Sequence, residues 1–297
     1  MSRKHPVIAV TGSSGAGTTT VKRAFENIFR RADITAAVIE GDSMHSLGRK
    51  EFRAAAAAAA AAGNNTFSHF GPEANHFDKI EATFRTYGET GQCERRYYIH
   101  SDAEAIELNA RYGTNLSPGE FTPWETIGAD SDILFYEGLH GLVKDGDIDA
   151  SRHVDLGVGV VPIVNLEWIQ KIHRDKAERG YSAEATVDTI LRRMPDYINY
   201  ITPQFSRTTV NFQRVSTVDT SNPFIARDIP TPDESFVVVH FSEPKGVDFP
   251  YLQNMVPGSF MSRPNTLVVP GGKMNMTLEL VLSPMIHDLI ENKKKKK

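Results

Sequence analysis

The stretch Val7-Ile8-Ala9-Val10-Thr11-Gly12-Ser13-Ser14-Gly15-Ala16-Gly17-Thr18-Thr19 decides the fold. Pro6–Thr11 is a short apolar run ending in glycine, the mark of a buried strand. Beyond the glycines, Val21, Phe25, Ile28 and Phe29 stand at i, i+4, i+7 and i+8, one face of a helix over Val21–Arg31. Between strand and helix lies the phosphate-loop frame, G-x-x-x-x-G followed by two residues, in the setting it requires. Small residues let consecutive backbone N–H groups converge on phosphates, and the helix N-terminus adds favourable partial charge. Thr19 occupies the position whose hydroxyl reaches a magnesium ion, and Thr18 stands where the loop lysine is expected. Phosphoryl transfer would therefore need a cation from elsewhere in the chain.

Reading outward, Ala36–Ile39 is a second strand that ends in Glu40-Gly41-Asp42, and Ile133–Tyr136 a third that ends in Glu137-Gly138. Val158–Val164 is a further buried strand. Between the second and third, Ser43–Thr126 is polar and rich in Gly, Asn, His and Tyr, with a helix around Glu73–Thr86. Helices follow over Asn165–Arg179 and Ser182–Met194, the latter ending or bending at Pro195. Asn211–Val218, Ser235–Phe241 and Asn265–Val269 read as strands with few helices between them, and Met276–Glu291 as a closing helix. Strand–helix alternation giving way to a strand-rich segment predicts a single α/β domain: a mainly parallel sheet with antiparallel edge strands and helices on both faces.

Composition sets the outer limits. The chain has 297 residues, 40 % hydrophobic and 24 % charged, near the globular average, which disfavours disordered and fibrous classes. Its net charge is −4, and without Lys293–Lys297 it would be −9, from 28 basic against 37 acidic side chains. An acidic body argues against generic nucleic-acid binding. Cys93 is the single cysteine, which excludes an intrachain disulfide, a four-cysteine zinc site and a dithiol switch, and fits a reducing compartment. No run approaches the ~18 to 20 apolar residues of a membrane helix, and the apolar stretch Val7–Val10 is too short for a signal peptide, so a cytoplasmic protein is expected. Two runs carry no pattern. Ala54–Ala62 would be helical in isolation but lacks any 3.6 period, and reads equally as filler for unidentified side chains; Lys293–Lys297 reads as filler or a solvated tail.

Three further features bear on chemistry. Asp42, just past a strand end where open α/β sheets bind ligands, could accept the proton of an attacking hydroxyl, although such an acid is commonly a helix cap. Glu137 ends its strand in the manner of a Walker-B acid, with a turn or cap role as the plain reading. Lys171, Arg174 and Asp175 stand at i, i+3 and i+4 and share one helix face, with Arg179 a turn further. These cations, and the pair Arg192-Arg193, either compensate a helix end in solvent or form an arm over phosphates.

The strings Gly12-Ser-Ser-Gly-Ala-Gly-Thr18, Glu40-Gly-Asp-Ser-Met-His45 with Arg49, Thr66-Phe-Ser-His-Phe70, Phe135-Tyr-Glu-Gly-Leu-His140, Val164-Asn-Leu-Glu-Trp-Ile-Gln-Lys-Ile-His-Arg-Asp175 and Val218-Asp-Thr-Ser-Asn-Pro-Phe-Ile-Ala-Arg227 together closely resemble phosphoribulokinases of the bacterial type, from Lys4 to about Ile290. A loop without its lysine is a habit of that type. The resemblance implies a P-loop kinase that uses MgATP to phosphorylate the 1-hydroxyl of ribulose 5-phosphate, giving ribulose 1,5-bisphosphate for the Calvin cycle. It implies Asp42 as base; His45, Arg49, Arg174 and Arg179 as sugar-phosphate contacts; Lys171 as the cation on the transferring phosphoryl group; Asp175 as a second carboxylate and metal ligand; and Glu137 beside a nucleotide loop spanning Gly12, Ser13, Ser14, Gly15, Ala16, Gly17, Thr18 and Thr19. Arg192 and Arg193 match a pair tied to nucleotide binding or allostery, and Arg31 and Arg263 match effector-site arginines, with His240 where a third is expected. An octamer activated by NADH and inhibited by AMP is implied; a thioredoxin-type switch is not open to a chain with Cys93 alone. A related uridine or pantothenate kinase and a catalytically silent nucleotide-binding protein stay as alternatives, while a GTPase switch lacks its N-K-x-D motif.

Overall fold

The computed structural model describes residues 4–12, 18–161, 163–225 and 228–295. Ser13, Ser14, Gly15, Ala16 and Gly17 of the phosphate loop lie outside the described residues, as do the side chains of Thr18, Thr19 and Arg179. In chain order the elements are β1 (Val7–Thr11), α1 (Thr18–Arg31), β2 (Ala36–Glu40), α2 (Arg49–Ala61), α3 (Phe77–Thr90), β3 (Cys93–Arg95), α4 (Asp102–Tyr112), β4 (Glu125–Ile127), β5 (Ile133–Gly138), β6 (Lys144–Asp145), β7 (Ile148–Asp149), β8 (Leu156–Val160), α5 (Val164–Arg179), α6 (Ala183–Asp196), β9 (Val210–Ser216), β10 (Ser235–Phe241), α7 (Phe249–Met255), β11 (Phe260–Arg263), β12 (Thr266–Pro270) and α8 (Met274–Lys295).

An eight-stranded sheet in the order β11-β12-β10-β9-β8-β1-β5-β2 organises the molecule. The five strands from β2 to β9 are mutually parallel, and β10, β12 and β11 continue the sheet antiparallel beyond β9. β1 is central and wholly buried, as an apolar run with no alternation requires when both faces are covered. On one face Ile8, Val10, Phe135, Val158 and Phe212 pack against Phe25 and Ile28 of α1 and Leu278 and Leu282 of α8. On the other, Val7, Ala9, Leu134, Tyr136 and Ile39 pack against Ile80, Phe84 and Tyr87 of α3. Burial of each such side chain is worth about 1.5–3 kcal/mol, and successive residues of β1 serve opposite layers.

Several expected boundaries shift for physical reasons. The strand anticipated over Val158–Val164 stops at Val160, and Val164 already begins α5. α6 passes through Pro195 to Asp196 and continues as a π-helical turn over Tyr197–Ile201. A proline lacks the N–H that keeps the i→i−4 ladder in step, so the change of winding falls where a bend is expected. α4 carries no apolar stripe; it starts from Ser101, whose hydroxyl accepts the Glu104 N–H at 3.3 Å, and ends at Gly113 in the left-handed region. Ala54–Ala61 form most of α2. Lys293 belongs to the last turns of α8, where its ammonium donates to the Asp132 carbonyl at 2.7 Å, so for this residue the solvated-tail reading does not hold.

A buried amide ties the sheet to the site end. Gln204 Oε1 accepts from the Thr11 hydroxyl at 3.0 Å and the Leu142 N–H at 2.9 Å, and its Nε2 donates to the carbonyls of Leu139 at 2.8 Å and Tyr200 at 2.7 Å. Three of the four bonds of this wholly buried side chain link the end of β1 and the residues after β5 to the segment after α6, and the fourth closes within that segment. Gln204→Leu strands several buried polar groups at once and should lower unfolding free energy by about 3 kcal/mol, read from urea denaturation.

Candidate active site

Parallel strands deliver their carboxyl ends to one edge of the sheet, and β1, β5 and β2 lie side by side there. Glu137 is register partner to both Val10 and Glu40. The glycines after the two strand-end acids meet: a Cβ on Gly41 would lie 2.7 Å from the Gly138 Cα, and one on Gly138 would lie 2.6 Å from the Gly41 Cα. That contact explains why each acid is followed by glycine, and it sets the spacing between the Asp42 turn and the Glu137 strand.

Asp42 sits in a 3₁₀ turn over Gly41–Met44. The Arg96 guanidinium clamps this turn, donating to the carbonyls of Ser43 at 2.9 Å and His45 at 2.6 Å while lying over the Phe121 ring. The Ser43 hydroxyl closes it against the Glu40 carbonyl at 2.6 Å. The Asp42 side chain keeps 45 % of its surface open, with His45 Nε2 3.5 Å from Oδ1 and His100 Nε2 3.8 Å from Oδ2. Burial would favour the neutral acid, but the hydrogen bond and charge of His45 hold the carboxyl down at about 2. His45 is raised in turn: burial opposes its charge, and Asp42 outweighs it. Arg49 opens α2 and reaches the His100 carbonyl at 3.2 Å, which brings Asp42, His45, His100 and Arg49 into one group.

A second group lies on α5. Lys171 and Asp175 are buried, 4 % and 2 % exposed, and the Lys171 ammonium donates to Asp175 Oδ2. Arg174 reaches the other oxygen of Asp175 through Nε at 3.4 Å and Nη2 at 3.3 Å. The shared face read from the i, i+3, i+4 spacing is therefore a closed ion cluster. Burial, then the charge of Arg193, brings the Lys171 ammonium down to about 8. Arg193 lies 5.0 Å over the Phe70 ring, and Ser68 donates to Asp196 at 2.7 Å, so the 66–71 loop joins this cluster to the histidines. Within that loop His69 stacks on Phe52 of α2 at 3.5 Å and lies 5.3 Å from His45; burial and then the His45 charge push it down to about 2, a neutral ring.

Oxygen donors for a divalent ion fit the site only as partners of a bound nucleotide. Among the described residues no group of three or more His, Cys, Asp or Glu side chains could hold a metal alone. Glu137 at its strand end supplies a carboxylate oxygen of the kind nucleotide-borne magnesium takes in ones and twos. Lys22 of α1 sits close by, paired with Glu40 at 2.6 Å; its ammonium is held up because Glu40, with Glu137 and Glu26, outweighs its burial.

Comparison with known proteins now bears on this geometry. The profile of the Phosphoribulokinase / Uridine kinase family matches residues 7–221. The chain belongs to that family. It is 57 % identical over 295 residues to a phosphoribulokinase of Nitrobacter vulgaris, covering 99 % of this chain and all of the relative, and 57 % identical over 295 residues to the chromosomal phosphoribulokinase of Cupriavidus necator, covering 99 % of each. The solved phosphoribulokinase from Rhodobacter spheroides superposes with a TM-score of 0.88 at 51 % identity, covering 98 % of this chain and 99 % of that one. The fold expected from the sequence, a P-loop kinase sheet with antiparallel edge strands, is the fold of this family.

The structure brings Asp42, His45 and Arg49 together, and Lys171, Arg174 and Asp175 together. Sequence reasoning missed His69, Asn75, Arg96 and His100, which come from the polar segment between β2 and β5. Arg31 and Arg263 lie away from both groups' partners: Arg31 pairs with Glu279 of α8, while Arg263 and His240 are both register partners of Thr266. Arg192 is exposed on α6. Cys93 is buried, and burial pushes its thiol up to about 12, which leaves it inert at neutral pH. Since Gly41 meets Gly138, Gly41→Ala should cost about 1–3 kcal/mol of stability through overpacking, and the displaced turn should lower kcat more than it raises the KM for ATP.

Proposed function

We propose that this family member transfers the γ-phosphoryl group of MgATP to the 1-hydroxyl of ribulose 5-phosphate, giving ribulose 1,5-bisphosphate, the carbon dioxide acceptor of the Calvin cycle. The observation that carries the reading is the open, ionised Asp42 carboxylate flanked by His45 and His100, with Arg49 bonded to the His100 carbonyl. Transfer to an alcohol needs one acceptor for the hydroxyl proton and many cations for the phosphates, with little covalent chemistry besides.

Asp42 accepts the hydrogen bond of the attacking hydroxyl and takes its proton as the oxygen–phosphorus bond forms. A carboxylate with its pKa at about 2 is ionised at every working pH, so it is always ready as an acceptor. His45, Arg49, Arg174 and Arg179 bind the sugar phosphate, a dianion best met by several fixed cations. The Gly12–Thr19 loop cradles the nucleotide phosphates, and Lys171 supplies the charge that Thr18 cannot. Thr19, Glu137 and Asp175 would supply the oxygens that hold magnesium, which would neutralise charge on the phosphates. Site and likeness to phosphoribulokinases over nearly the full length support ribulose 5-phosphate ahead of uridine. For regulation, NADH as activator and AMP as inhibitor act on a homo-oligomer, an octamer, through Arg31, Arg263, Arg192 and Arg193; the enzyme works in the cytoplasm, and among the described residues no helix is long and apolar enough to cross a membrane.

Asp42→Asn should lower kcat by about 10²–10⁴-fold with the KM for ATP nearly unchanged; steady-state kinetics check this, and an unaltered kcat refutes the base. The Lys171 charge is present below pH about 8 and lost above it. kcat/KM for ATP should therefore fall as pH rises through that value, and in Lys171→Arg the remaining activity should lose this alkaline limb.

A further inference from the structure

The Asn75 amide lies behind the histidine that faces Asp42. Its Nδ2 donates to the carbonyls of His69 and Gly71, each at 2.8 Å, so both of its hydrogens are spent. The Oδ1 atom is then left to face His45 Nδ1 at 2.7 Å, and an amide oxygen can only accept. His45 Nδ1 therefore carries a hydrogen. On the far side of the ring Nε2 faces Asp42 Oδ1, another atom that can only accept while the carboxylate is ionised. A neutral imidazole satisfies one of these acceptors; an imidazolium satisfies both. The ring is 8 % exposed and Asn75 6 %, so water does not offer a substitute on the Asn75 side.

We propose that Asn75 is a positioning residue that holds His45 as a doubly protonated imidazolium aimed at Asp42 Oδ1. The kinetic part of this rests on Asp42 acting as the base; the state of the ring does not. The backbone reinforces the side chains: His45 and Asn75 form an antiparallel bridge, and the Ser46 N–H and His76 N–H bond across to Ala74 and Met44 at 2.9 Å each. The groups that face His45 are few. Asp42 lies on its own turn, His69 is a neutral ring 5.3 Å away on the 66–71 loop, and the Tyr98 ring lies edge-on at 6.3 Å. Arg96 grips the His45 carbonyl, and its charge works against protonation, while His100 stands at the other oxygen of Asp42. Asn75 and Asp42 are the two groups that favour the cation, so removing either acceptor should release a proton at lower pH.

The test is a pH titration of the full-length protein labelled with [¹³Cε1]histidine, the His45 signal assigned by its loss in His45→Gln. In the wild type the His45 signal should titrate above free histidine. In Asn75→Leu, which removes the acceptor, it should titrate lower; in Asn75→Asp, which keeps an acceptor oxygen and adds negative charge, it should titrate at or above the wild-type position. Asn75→Leu should lose about 10- to 100-fold in kcat with the KM for ATP unchanged, as loss of a partner that orients a working histidine does elsewhere, and Asn75→Asp should recover most of that loss. A neutral wild-type ring at pH 7, an identical His45 titration in all three proteins, or no recovery in Asn75→Asp overturns the proposal. Should Asn75→Leu fail to fold, the direction of the Asn75→Asp titration decides. A protein that shows the expected titrations yet phosphorylates no sugar phosphate refutes the proposed substrate and leaves the role of Asn75 standing.

Discussion

Burial raises a carboxyl group's pKa and a cation fixed beside it lowers it, and the pairing of Asp42 with His45 decides that balance toward the carboxylate. Without it, burial would push the Asp42 carboxyl up and weaken the acceptor that the proposed transfer to an alcohol uses. The surroundings follow from the same demand. Arg96 holds the turn by its backbone carbonyls, spending its donors on geometry, while His100 stands at the other carboxylate oxygen. On α5, Asp175 carries two cations, so Lys171 enters the site with part of its charge already balanced.

The sheet makes this arrangement possible. Parallel strands bring three strand ends to one edge, and two glycines let β2 and β5 finish close together. Gln204 then fixes the ends of β1 and β5 from below with a fully satisfied amide, so the acids and the phosphate loop spring from a rigid edge. Rigid placement matters because phosphoryl transfer gains its rate from position and charge rather than from new covalent steps.

What was legible in the sequence follows from where periodicity operates. β1, β2, β5 and β10 are apolar runs bounded by turn residues, and the acids at their ends, Asp42 just past β2 and Glu137 in β5, could be singled out as ligand-facing. Lys171 and Asp175 were legible because helical spacing alone puts them together. α4 escaped because it is polar on all sides with Ile106 outward, although Ser101-Asp102-Ala103-Glu104 carries the serine-to-glutamate spacing of a capped start. In α2 the alanine run carried helix propensity but no polar face to contrast, so it read equally as filler. His45 and Arg49 entered only through family resemblance. His69, Asn75, Arg96 and His100 gather from a polar segment in which no period links them, and only tertiary packing brings an amide at 75 onto a histidine at 45.

The most direct measurement is ATP consumption by the purified protein with Mg²⁺, comparing ribulose 5-phosphate, uridine, pantothenate and no acceptor, with the product followed by ³¹P NMR. The account predicts turnover with ribulose 5-phosphate alone and a second phosphate monoester on its 1-carbon. Turnover with uridine or pantothenate instead, or none with any acceptor despite ATP binding, would contradict it.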